Sequence, residues 1–339
     1  MEGCVLSLNA VTGASGHVGA NLVRALVARG HAVRALVHHD TRSLDGLDIE
    51  LVRGDIADVD TLLPAFEGVD LVYHTAAFVS ISMGDWQRLQ EINVYGTRNV
   101  VEACLQNRVH RLVHFSSVEA ILGRGDGQLV DESRPLVDSR GTVPYARSKA
   151  AAEREVQQGQ ARGLDAVILR PSAIIGPHDY RLGFPNAGLL AIATGKLWAL
   201  VDAGFDWVDV RDVVRGALRA AEGAAVGSTY LLSGHWASLH DLAGLAAEIN
   251  GVGVPRLIFP LWLARIGAPF AAAVGHIGGG RPLFTRAALH PLSGNYRFSH
   301  ARATRDLGYH PRPLRETVTE TLQWFQDNVS MATPGIADR

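Results

Sequence analysis

The chain has 339 residues, 47% of them hydrophobic and 19% charged, which excludes wholesale disorder and leaves apolar material for one large unit or a main domain with a smaller lobe. A formal charge of -2 offers no basic excess to neutralise a run of phosphates, which argues against a nucleic-acid partner. Its two cysteines, Cys4 and Cys104, lack metal-ligand spacing, so no metal site or disulfide is predicted and a reducing, cytoplasmic setting fits.

No basic segment precedes the first apolar run, so the start does not read as a secretory signal. In chain order, residues 5–11 read as a strand, followed by a glycine-rich turn and a helix over 18–29 with apolar residues at helical spacing. Strands are predicted at 32–37, 50–52, 71–74, 111–115 and 166–169, with helices near 61–66, 89–106 and 145–162 between them. A strand at 207–210 leads into a helix at 213–222, and 229–232 reads as a further strand. Helices follow at 239–250 and 314–328. Near-continuous apolar strands alternating with helices predict an α/β, Rossmann-type doubly wound, mostly parallel sheet with a smaller C-terminal substrate lobe. The expected division is 1–175 as dinucleotide-binding core, 176–206 as a lobe insertion, 207–238 as a return to the core, 239–330 mainly as lobe, and 331–339 as a tail. Residues 258–280 come nearest to a membrane span, but Pro260, Arg265, Pro269 and His276 interrupt them, so an apolar lobe or peripheral surface is expected instead.

The turn Thr12-Gly13-Ala14-Ser15-Gly16-His17-Val18-Gly19 sits between the first strand and the first helix, where exposed amides can receive a pyrophosphate. Gly13 permits the tight turn, Gly16 the close approach of ligand, and Gly19 the packing of helix on sheet. The second strand ends at Val37 without the acid that usually meets the ribose hydroxyls of NAD. His38 and Arg42 nearby therefore favour NADP over NAD, while Asp40 keeps NAD open. Asp55 follows the third strand and can reach the adenine region, and Ala76 and Ala77 let a cofactor pass close to the chain. The full expected cofactor set is Gly13, Ser15, Gly16, His17, Val18, Gly19, His38, Arg42, Asp55, Ile56, Ala76, Ala77, Tyr145, Lys149 and Pro171.

Tyr145 and Lys149 stand four residues apart, on one side of a helix. Of 32 basic residues only Lys149 and Lys196 are lysines, which makes an ammonium role at 149 more specific. Ser117, with Ser116 as its neighbouring alternative, ends a strand at the same sheet edge and can orient a carbonyl or alcohol oxygen. Tyr145 would donate a proton in reduction and accept one in oxidation, aided by the Lys149 charge. Asn93 either organises a turn linked to Lys149 or makes a simple helix hydrogen bond. The histidines need no metal.

These motifs, with Gly54-Asp55, His74-Thr75-Ala76-Ala77, Arg170-Pro171-Ser172, Gly176-Pro177 and Leu307-Gly308-Tyr309, resemble the extended short-chain dehydrogenase/reductase family over nearly the whole chain. Residues 33–37 and 93–103 look like its 3β-hydroxysteroid dehydrogenase and dihydroflavonol reductase branch, although His38 stands where that branch commonly has an arginine. The resemblance implies Ser117 and Tyr145 facing the substrate oxygen, Lys149 on the nicotinamide ribose, and alcohol–ketone interconversion on a hydrophobic, steroid- or flavonoid-like small molecule. Phe184, Leu189, Leu190, Trp198, Phe205, Trp262 and Phe270 offer apolar lobe material, and Arg281 a contact for a polar group. A nucleotide-sugar epimerase or dehydratase is the alternative, weakened because no acid immediately follows Ser117. A nonenzymatic NADP-binding regulator is a third reading, opposed by the intact Ser117, Tyr145 and Lys149. Helices near 89–106 and 145–162 are candidates for a homodimer face.

Overall fold

In chain order, β1 (Leu8–Thr12), α1 (His17–Ala28), β2 (Ala32–Val37), β3 (Glu50–Arg53), α2 (Val59–Ala65) and β4 (Leu71–His74) build the first half of the sheet. The computed structural model describes residues 7–122, 129–138, 142–264, 266, 292 and 296–328. Cys4, Phe270, Arg281 and the 331–339 tail lie outside the described residues. The second half begins with a continuous helical run: α3 (Trp86–Leu89), a π-helical turn (Gln90–Tyr95) and α4 (Gly96–Gln106). It continues with β5 (Arg111–Phe115), the short β6 (Leu129–Val130), α5 (Pro144–Ala161), β7 (Ala166–Pro171) and β8 (Ala173–Ile175).

Seven parallel strands form the main sheet in the order β11–β7–β5–β4–β1–β2–β3, where β11 is Thr229–Leu232. Every residue of β5 and of β7 is buried, as expected for strands covered on both faces. One apolar core, including Leu22, Val113 and Val213, fills the face under α1 and α7 (Val210–Gly223). The opposite core, including Leu62, Val101 and Val156, lies under α2, α4 and α5. Strand order reverses between β1 and β4, which opens a crevice at their carboxyl ends, the place where doubly wound sheets bind ligands.

The smaller lobe adds α6 (Phe184–Ala193), β9 (Ala199–Asp202), β10 (Gly204–Asp209), β12 (His235–Ser238), α8 (Leu239–Asn250), β13 (Leu257–Pro260), β14 (Arg297–Phe298), α9 (Ala301–Leu307) and α10 (Leu314–Asn328). The strand predicted at 207–210 is β10, and it joins β8 and β12 in a separate three-stranded sheet rather than the main one. Helix α8 is held by a capping box between Ser238 and Asp241 and ends at Gly251 in the left-handed region, φ 69°. Among the described residues, no helix is long and apolar enough to cross a membrane.

Candidate active site at the sheet crevice

The glycine-rich turn follows β1 because Gly13 adopts φ +66°, a conformation L side chains avoid. A Cβ on Gly13 would lie 2.6 Å from the Ala76 backbone, so Ala76 closes against the turn itself. A Cβ on Gly19 would lie 2.2 Å from the Gly13 carbonyl oxygen. Gly19 therefore seats α1 on the turn, a closer constraint than packing on the sheet. The Gly16 amide donates to the Gly13 carbonyl at 2.9 Å, and Gly16 precedes α1 without a capping side chain. The first amides of α1 are thus free of a capping side chain, and a turn kept open at Gly13, Gly16 and Gly19 fits a dinucleotide pyrophosphate. Val18 packs against the core, while the amide of Asn21 and the ring of His17 reach the Pro177 carbonyl at 3.0 and 3.1 Å. His17 thereby ties the turn to the Gly176-Pro177 segment.

Arg181, which the sequence reading passed over, donates to the Ser15 hydroxyl at 2.9 Å and brings a guanidinium to the lip of this cradle. Only folding could show it, because 166 residues separate the pair. At the end of β2, Arg42 makes a two-point contact with the Asp40 carboxylate at 2.9 and 3.0 Å. The Arg42 hydrogen bonds hold the Asp40 carboxyl below its ordinary range against some burial. His38, exposed, lies 3.6 Å from the half-buried Asp55. Asp55 also accepts from the Ala57 amide, which makes it a turn former. Ile56 is buried where a Cβ on Gly96 would meet its side chain, so it packs the floor of that turn. Ala77 is half-buried beside Ala76, and Pro171 is buried at the end of β7.

Pro144 opens α5, a position that needs no amide donor, and sets Tyr145 in its first turn. The Ser117 hydroxyl lies near the Tyr145 phenol, whereas Ser116 donates to Glu153 at 2.5 Å. The two serines are thereby separated: Ser117 faces the phenol and Ser116 faces the interior. Burial, then the nearby Glu119 carboxylate, pushes the Tyr145 phenol above its ordinary value, and the Ser117 hydroxyl opposes this. Lys149 is 3% exposed and donates to the Phe115 carbonyl at 2.7 Å rather than to the phenol. Burial lowers the Lys149 ammonium to about 8, with Glu153 opposing the shift. Burial first, and Lys149 second, keeps His74 neutral with a pKa of about 3, so it does not add a competing charge.

Asn93 lies on the π-helical turn, a feature that recurs at functional sites. Its side chain accepts from the Phe78 amide at 2.7 Å and donates to the Phe78 carbonyl and the Ser148 hydroxyl, both at 2.9 Å. It thus fastens the Ala76-Ala77-Phe78 segment to the residue beside Lys149. The acid that sequence spacing discounted is Glu119. Its amide donates to the Ser117 hydroxyl at 3.2 Å, and burial raises its carboxyl to about 7 in the neighbourhood of Tyr145. Among the described residues no cluster of histidine, cysteine and acidic side chains could hold a metal.

Beneath the site, Arg170 and Glu153 form a fully interior pair at 2.7 Å, with the carboxylate 0% exposed. Removing one partner of such a pair strands the other charge. Glu153→Ala is expected to lower unfolding free energy by about 3–5 kcal/mol in urea titrations, and Glu153→Met with Arg170→Met should recover most of that. Equal losses in the single and double variants would contradict the account.

Residues 10–232 match the NAD dependent epimerase/dehydratase family. The chain belongs to this family. Its fold is that of the extended short-chain dehydrogenase/reductases, and its membership makes it an NAD(P)-binding enzyme. It is 37% identical over 321 residues to sterol demethylase protein B of Methylococcus capsulatus (strain ATCC 33009 / NCIMB 11132 / Bath), covering 94% of this chain and 98% of that one. The crystal structure of gox2253 is similar with a TM-score of 0.84 and 34% identity, covering 95% of this chain and 99% of that one. MoeE5 in complex with UDP-glucose and NAD is similar with a TM-score of 0.72 and 25% identity, covering 95% of this chain and 99% of that one.

The expected preference for NADP is corrected by these findings: the family is NAD dependent by description, and the solved MoeE5 complex holds NAD. The local reason is that Asp40 occupies Arg42, the cation expected to greet a 2′-phosphate. The steroid-type branch is not singled out within the family, and the epimerase/dehydratase alternative gains on it. Leu189 and Phe205 are interior to the lobe core, with Leu190 packed against it, and Phe184 is half-buried at the start of α6; Trp198 and Trp262 are 71% and 63% exposed.

Proposed function

We propose that this enzyme holds NAD in the glycine-turn crevice and carries out redox-neutral conversion of a small sugar- or metabolite-like alcohol, by epimerisation or elimination beside a transient ketone. The cofactor, when bound, supplies the hydride acceptor and donor. Gly13, Ser15, Gly16 and Arg181 would hold its pyrophosphate, Asp40 its adenosine ribose, and Lys149 its nicotinamide ribose. Ser117 orients the substrate hydroxyl, and Tyr145 removes its proton and later returns it. Asn93 positions the helix that carries both Tyr145 and Lys149.

The observation that carries the redox-neutral reading is the place of Glu119, whose amide meets the Ser117 hydroxyl and whose carboxyl lies near Tyr145. Net alcohol–ketone interconversion needs one proton-transfer group, whereas chemistry on the carbon beside the new ketone needs a second. A carboxyl raised to about 7 next to Tyr145 is suited to exchange a proton there near neutral pH. Glu119 accepts a proton only when ionised, so this second step should fail as pH falls through about 7 and persist above it. Glu119→Gln should abolish exchange of solvent deuterium into the carbon beside the carbonyl while sparing a half-reaction read by NADH absorbance. The test is product deuteration by mass spectrometry over pH 5–9, using UDP-glucose-type and simple hydroxy-ketone panels. Stoichiometric, accumulating NADH with no deuteration in the wild type would instead support simple dehydrogenation.

That second reading, a net dehydrogenase or reductase, rests on the Ser117–Tyr145–Lys149 geometry, which serves either outcome. The resemblance to sterol demethylase protein B keeps a lipid-like alcohol among the substrates to be tried.

A further inference from the structure

Half of the exposed large hydrophobic side chains among the described residues gather in one place. Trp198 is 71% exposed, Leu257 51%, Ile258 44%, Trp262 63%, Leu263 39% and Ile266 60%. Strands β9 and β13 run parallel with Ala199 opposite Leu257 and Pro260 opposite Asp202, and the Trp198 and Phe259 rings meet edge to face at 5.8 Å. The helical turn at 261–264 then packs Leu261 and Ala264 against Val201, Ala203 and Leu239. With period 3.6, the intervening Trp262 and Leu263 must face outward, where a solvated helix would carry polar residues. Scattered apolar residues are normal on a protein surface, but a contiguous set of this kind marks a contact surface.

The charge around it selects the occupant. Several exposed cations elsewhere are matched by carboxylates, as with Arg29 and Glu222, Arg162 and Glu102, and Arg315 and Glu248. Lys196 and Arg256 make no ion pair with any described residue, and both precede the paired strands at the same end of the small sheet. Asp202, at the other end, is the acid on these two strands, which leaves the edge positive. Tryptophans among aliphatic side chains, bordered by unpaired cations, suit the boundary between lipid headgroups and acyl chains.

We propose that this edge is a peripheral docking surface for an anionic lipid bilayer, with Trp198, Ile258, Trp262 and Ile266 entering the interfacial layer and Lys196 and Arg256 meeting lipid phosphates. The proposal does not depend on which alcohol the active site takes, since the patch lies in the small sheet rather than the β1–β4 crevice. It requires no spanning segment, in keeping with the absence of one among the described residues.

The test is sedimentation of the full chain with phosphatidylcholine vesicles, with and without phosphatidylglycerol, followed by Trp fluorescence. The protein should pellet with the anionic vesicles, show a blue-shifted emission, and be released by salt. Removing either cation, as Lys196→Glu or Arg256→Glu, should weaken binding by about fivefold or more per site. Trp262→Asp with Ile258→Asp should abolish binding, with NAD affinity unchanged as evidence of intact folding. No binding to anionic vesicles, equal binding to neutral ones, or binding indifferent to these substitutions would overturn the proposal. So would a dimer in analytical ultracentrifugation that the Trp262→Asp variant dissociates, because the patch would then belong to a second copy.

Discussion

Tyr145→Phe is expected to reduce turnover by about 10²–10⁴-fold, the range associated with losing a positioned proton-transfer group, while NAD binding changes little. The phenol sits near the Ser117 hydroxyl, which favours its ionised form. In the structure, burial and Glu119 both favour the protonated phenol, so base action requires added positive charge nearby. In the proposed mechanism Lys149 would provide it while protonated. Because burial lowers its pKa to about 8, that support is present below pH 8 and fades above it. Alcohol oxidation should therefore lose its basic-limb gain near pH 8, and Lys149→Met should weaken NAD binding as well as turnover. Stopped-flow NADH formation with each variant, alongside equilibrium NAD titration, separates these effects. A Tyr145→Phe enzyme with unimpaired hydride transfer would remove the phenol from the mechanism.

Gly19→Ala should weaken NAD binding by about 10–100-fold, comparable to losing one hydrogen bond to a charged group. The added methyl carbon would fall 2.2 Å from the Gly13 carbonyl and 2.8 Å from the Ala14 Cα, both rigid backbone atoms. The turn must shift, and with it the amides that would meet the pyrophosphate. Such overpacking also costs about 1–3 kcal/mol in stability, so thermal melts with and without NAD should accompany the titration. Gly188→Ala is the control, since a Cβ there meets nothing within 4 Å. Equal NAD affinity in the two variants would mean that Gly19 does not shape the cradle.

Much of this arrangement is legible in residue order because its determinants are local. Strands 32–37, 71–74, 111–115 and 229–232 coincide with β2, β4, β5 and β11, since each is a short apolar run bounded by turn residues. The spacing of Tyr145 and Lys149 needs only one helical turn, and Gly13 is marked by its place between strand and helix. Where sequence reasoning failed, the deciding contacts are distant. The run from Trp207 to Val210 marks a strand, but it could not tell that β10 pairs with β8 and β12, because an apolar strand carries no record of its partner.

The active site divides along the same line. From sequence alone come the α/β alternation, the glycine turn and the Tyr145–Lys149 pair, all products of spacing and backbone sterics. Tertiary structure decides the rest. It turns Ser116 toward Glu153 and leaves Ser117 for the phenol, joins Arg42 to Asp40, and brings Arg181 across 166 residues to Ser15. It also brings the half-buried Glu119 near Tyr145 and raises its carboxyl, although no acid follows Ser117 directly in the chain. These properties depend on which group neutralises, desolvates or accepts from which. Such relations are set by distance in space, and residue order records them only once the chain has folded.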